Sequence, residues 1–100
     1  MLHTWDIYEI TADSDALHGV KLRGRIRKFA IEREITCIVE NASDEENTVR
    51  FALLAGTDST EVSTFIKSLL PNASIVSVLK DIPNPVLSKL KVNDSSRYEI

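Results

Sequence analysis

A chain of 100 residues with 43% apolar side chains, three glycines and three prolines is long enough to bury a core as one domain spanning 1–100. Its formal charge of −3 and pI near 5.3 argue against a nucleic-acid binder, since domains that grip phosphate backbones carry a basic excess. One cysteine, Cys37, excludes an intrachain disulfide, and the start "MLHTWDIYEI" lacks a basic stretch followed by an apolar one. The longest apolar runs, "FALLAG" and "IVSVL", fall far short of the roughly 20 residues a membrane helix needs. A soluble, cytoplasmic monomer is expected.

The first element, "TWDIYEIT" (4–11), is rich in aromatic and β-branched residues and stops at the turn-forming "ADSDALHG", so it reads as a strand followed by a loop. In "KLRGRIRKFAIERE" (21–34), Leu22, Ile26, Phe29, Ala30 and the stem of Arg33 recur at three- and four-residue steps and predict an amphipathic helix. Gly24 weakens that helix by about 1 kcal/mol relative to alanine. "ITCIVEN" (35–41) and "TVRFALLA" (48–55), joined by the polar "ASDEEN", predict a β-hairpin. A second helix is expected over 58–70, capped by Ser59 or Thr60, with Glu61 in its first turn and a stripe of Val62, Phe65, Ile66, Leu69 and Leu70. Pro71 and Asn72 end it.

"ASIVSVLKDI" (73–82) reads as a strand that the prolines of "IPNPVL" break, and "SSRYEI" (95–100) as a short last strand. The order β-α-β-β-α-β plus a final strand predicts an α+β ferredoxin-like sandwich, an antiparallel sheet with both helices on one face. This order of elements hosts many functions, so the chemistry has to come from particular residues.

The stretch "HGVKLR" (18–23) sets a glycine and a basic run at the start of the first helix, where free backbone N–H groups and an arginine can hold an oxyanion. Together with "IVEN" (38–41) it resembles the acylphosphatase family, whose members carry a Gly-x-Val-Gln-Gly-Val-x-Phe-Arg loop before the first helix and an asparagine at the end of the second strand. Gly19, Val20, Leu22 and Arg23 match the loop, Val39 and Asn41 match the strand end, and 18 positions separate Arg23 from Asn41, as the family pattern requires. The resemblance implies a small hydrolase of carboxyl-phosphate bonds. Arg23 would bind the phosphoryl group with the loop residues His18, Gly19, Val20, Lys21 and Leu22, and Asn41 would orient the attacking water. The substrate's own phosphate would take the proton, with no metal and no cofactor. The implied partners are a small acyl phosphate or inorganic phosphate.

The chemistry is coherent on its own terms. An acyl phosphate has a good leaving group, so hydrolysis asks for positioning and charge stabilisation more than for a strong base. A guanidinium matches two phosphoryl oxygens at once. The residues His3, His18 and Cys37 lack metal-ligand spacing.

The loop also departs from the family. Asp15 stands at a glycine position and His18 at the glutamine position, and the segment is longer. Negative charge near a bound dianion supports a second reading, a catalytically weak or inactive anion-binding or interaction module. Plainer readings accompany each residue. Arg23 can be a solvated side chain, and the five cations between 21 and 28 an exposed face balanced by Glu32 and Glu34. Asn41 can be a turn former, and Cys37 a small buried hydrophobe. An RNA-recognition module would need stacking aromatics on its central strands, and the hairpin offers Phe51 alone.

Overall fold

A computed structural model describes residues 3–12, 21–45 and 47–89. In chain order these form β1 (Trp5–Thr11), α1 (Leu22–Glu32), β2 (Cys37–Asn41), β3 (Thr48–Leu54), α2 (Thr60–Leu69) and β4 (Ser74–Ile82). The fold is α+β, with one four-stranded antiparallel sheet in the order β2-β3-β1-β4 and two helices, compatible with a ferredoxin-like sandwich. The expected last strand at 95–100 lies outside the described residues.

β3 is buried along both faces because it is interior to the sheet and covered on each side. Its alternating residues divide accordingly. Val49, Phe51 and Leu53 point to the helices and join Ile10 of β1, Leu22 and Ile26 of α1, and Val62 and Ile66 of α2 in one core. Tyr8 and Phe51, opposite one another in the β1–β3 register, stack with ring centroids 5.0 Å apart. The seam between the helices is closed by Phe29 and Phe65, 4.2 Å apart and nearly parallel. Arg33 then lies over the Phe29 ring and pairs with Glu61 at 3.5 Å.

The second face carries a smaller core. Ile7 and Ala52 pack under Leu87, flanked by Trp5, Val78, Leu79 and Ile82. Register shifts between Trp5 and Tyr8 mark a bulge in β4. Asp81 sits there in the left-handed region (φ 57°) and donates its N–H to the buried Asp6 carboxylate at 3.2 Å. After β4, segment 83–89 doubles back across this face, its Leu87 sealing the small core.

One local expectation is corrected and a second refined. The first helix ends at Glu32 rather than running to 34, since Glu34 adopts a left-handed conformation (φ 57°) and the N–H of Ile35 bonds back to the Ala30 carbonyl at 2.8 Å. Ser59 takes the N-cap position of α2, as expected, but its side chain makes no cap bond, and the residue before it supplies the carboxylate instead. The Asp58 carboxylate accepts from the Thr60 N–H at 2.9 Å and from its hydroxyl at 2.6 Å, and these bonds hold its pKa below the ordinary carboxylate value. An aspartate outcompetes serine here because its charge also complements the positive end of the helix dipole.

A methyl group added at Gly24 would meet nothing within 4 Å. Gly24→Ala is therefore expected to stabilise the fold by about 0.5–1 kcal/mol, read as a higher denaturation midpoint at unchanged m-value. Truncating Ile66, fully buried between the helices and the sheet, is expected to cost about 2–5 kcal/mol in the same experiment.

Candidate functional site

Each residue at the start of α1 has a distinct part. Lys21 occupies the left-handed region (φ 54°, ψ 48°) at the N-cap, without a side-chain cap bond. Leu22, the first helical residue, sends its side chain into the core, so its share in any cradle is limited to the backbone. A left-handed residue beside a right-handed one turns successive N–H groups toward one concavity, the geometry of an anion-binding nest. The first N–H groups of a helix also lack intrahelical acceptors. Arg23 projects from the first turn into solvent and makes no ion pair or hydrogen bond among the described residues. His18, Gly19 and Val20 lie outside the described residues, as do Asp13 and Asp15.

Asn41 is the last residue of β2, exposed, opposite Val49 of β3. It shares its side of the strand with Cys37 and Val39, which pack against the helix-side core, so it belongs to the face that carries Arg23. Chain geometry brings the two to one end. α1, with 11 residues, runs about 16 Å at ~1.5 Å per residue, and β2, with 5, returns about the same distance at ~3.3 Å. The tight reversal at 33–36 joins them, so these lengths carry the start of α1 to the end of the sheet at which β2 ends.

The flank is also settled. Arg25 lines the open groove between the helices together with Phe65 and Leu69 of α2. Arg23, two residues earlier and about 200° around the helix, falls on the opposite flank, the one nearer β2.

The electrostatics of α1 are inverted relative to a stable isolated helix. Its first turn has no acid and its last no base, while Lys21, Arg23, Arg25, Arg27 and Lys28 crowd toward the N-terminal half, all exposed. Cations there oppose the macrodipole. An anion bound at this end would offset both the dipole and the mutual repulsion.

Arg50, which no sequence argument singled out, lies on the opposite face of β3 with 1% of its surface exposed. Its Nε donates to Glu9, its cross-strand partner, at 2.9 Å, and its Nη1 donates to Asp44 at 2.6 Å and to the Leu87 carbonyl at 3.1 Å. Burial by itself would lower its pKa, but the hydrogen bonds and charges of Asp44 and Glu9 outweigh this and hold it above the ordinary arginine value. A signal was available: an arginine inside the apolar run "TVRFALLA" has to find a carboxylate, and "YEI" on a neighbouring strand supplies one. Among the described residues no three His, Cys, Asp or Glu side chains gather closely enough to hold a metal ion.

Cys37 is half-buried, and burial pushes its thiol up to about 11 from 9.0. It is a neutral packing group rather than a nucleophile. Because the folded-state pKa is the higher one, its contribution to stability is whole below pH 9 and disappears as pH rises toward 11. Two outcomes follow: iodoacetamide should label Cys37 far more slowly in the native than in the denatured protein at pH 8, and Cys37→Val should remove part of the stability loss between pH 9 and 11. Compared with protein-family models, curated proteins and solved structures, the chain matches none.

Proposed function

We propose that this chain is an acylphosphatase-like hydrolase on a ferredoxin-like sandwich, cleaving the carboxyl-phosphate bond of small acyl phosphates. In this reading the Arg23 guanidinium forks onto two phosphoryl oxygens, and the backbone N–H groups of Lys21, Leu22 and Arg23 surround a third. The Asn41 carboxamide orients a water for attack on phosphorus, the phosphoryl group accepts that water's proton, and the carboxylate departs without a general acid because it is already a stable anion. Catalysis then comes from positioning and fixed positive charge. The reading includes no metal.

What supports it is the combination of Asn41 on the helix-facing side of β2, element lengths that carry the start of α1 to the end of the sheet where β2 ends, and a left-handed Lys21 beside the exposed Arg23. The exposed cationic half of α1 adds a field that draws anions.

A binding module without turnover is the second reading, favoured by the acidic Asp13 and Asp15 in the loop sequence that precedes the helix. One assay separates the two. Purified protein is expected to hydrolyse acetyl phosphate with a chelator present and to bind inorganic phosphate, followed by amide shifts at Lys21–Arg23. Arg23→Ala should abolish phosphate binding, whereas Asn41→Ala should lower kcat by about 10²-fold and leave phosphate affinity unchanged. Phosphate binding through Arg23 without hydrolysis above buffer selects the module, and absence of both sinks both readings.

A further inference from the structure

Asn41 ends an edge strand, an exposed position from which a side chain would ordinarily wander with the turn that follows. Here the three residues after it are each tied down, two of them to β3 and one to the segment that follows β4. The Ala42 N–H bonds the Thr48 carbonyl at 2.9 Å, closing the hairpin. Ser43 donates twice to the Ser88 carbonyl, from its N–H at 2.7 Å and its hydroxyl at 2.9 Å. Asp44 accepts from Arg50 at 2.6 Å.

Ser43 and Asp44 are thus anchored from the sheet's second face. The anchor is segment 83–89, which crosses that face from β4 and is itself held by the burial of Leu87 and by the bond from Arg50 to the Leu87 carbonyl. A single guanidinium grips the turn, β1 through Glu9, and the crossing segment at once. We infer that Ser43, Asp44, Arg50 and Ser88 form a clamp that positions the Asn41 carboxamide, so that the segment after β4 serves the site on the opposite face.

The inference rests on the hydrolase reading for its chemical consequence, though the clamp is defined without it. A carboxamide that must hold a water in line loses effectiveness steeply with displacement; an error of about 1 Å can reduce rate ~10²-fold. None of the four clamp residues touches the substrate in this scheme. They act through Asn41.

The test uses the full chain and the double variant Ser43→Ala/Asp44→Ala, which removes no side chain of either hydrophobic core; Arg50→Lys, which keeps the charge but not the fork, serves as a second variant. With acetyl phosphate, kcat should fall about 10- to 100-fold while KM and inorganic phosphate affinity hold within twofold. In an Asn41→Ala background the same double variant should have no further effect on kcat, a non-additivity that a general loss of stability would not produce. Amide exchange at Ala42 and Ser43 should accelerate at least in parallel. Unchanged kcat despite faster exchange, or additive effects with Asn41→Ala, would overturn the inference. If the wild type hydrolyses nothing, the hydrolase reading fails separately. The clamp is then judged on the Asn41 side-chain amide resonances, whose shift in the double variant sustains it and whose constancy refutes it.

Discussion

An arginine inside a protein must bring its counter-charges with it, and Arg50 organises much of this fold through that requirement. Desolvating a guanidinium costs several kcal/mol unless carboxylates and carbonyls replace its water. Here they come from β1, the β2–β3 turn and segment 83–89, three stretches far apart in the chain. The arrangement gains specificity more than raw stability, since an apolar side chain at that position could pack as well but would dictate nothing about the turn or the crossing segment. A charge that tolerates so few arrangements selects one.

The sheet accordingly does two different jobs on its two faces. The helix-bearing face holds the larger core and gathers Tyr8, Phe51, Phe29 and Phe65 into stacked pairs that set the spacing of the layers. The other face is covered by a thin strip of chain, with one leucine as its plug and an ion cluster as its fastening. β3 lies between them and is buried on both sides, which explains why a strand of an antiparallel sheet reads as nearly continuous apolar sequence with one charge in it.

Charge distribution ties the fold to the proposed chemistry. A chain with net charge −3 concentrates five cations in eight residues at the wrong end of a helix for its dipole. Such placement weakens α1 on its own. It is tolerable because Leu22, Ile26 and Ala30 are buried in packing that outweighs tenths of a kcal/mol of dipole repulsion, and it leaves an electropositive helix start where the proposed phosphoryl site lies.

Periodicity made most of the architecture legible. The apolar stripes of both helices declare their elements because burial of a face imposes its period on the sequence, and the β-branched and aromatic content of 4–11 and of the hairpin marks the strands. Arg23 and Asn41 stand in the sequence only as a spacing, on which the proposed site is built. The N-cap position of α2 at Ser59 was legible, but not the group that bonds the helix start, since Asp58, Ser59 and Thr60 can each do so and only the local backbone geometry chooses the acid. Nor was the clamp: Glu9, Asp44, Arg50 and Leu87 are scattered, and a buried ion cluster leaves no periodic trace. Local patterning, a property of neighbouring residues, was thus determined by the sequence alone. Which distant charges meet, which face segment 83–89 covers, and that the flank of α1 bearing Arg23 turns toward β2 were decided by tertiary packing, because each depends on strand register and on desolvation that exists only once the layers have closed.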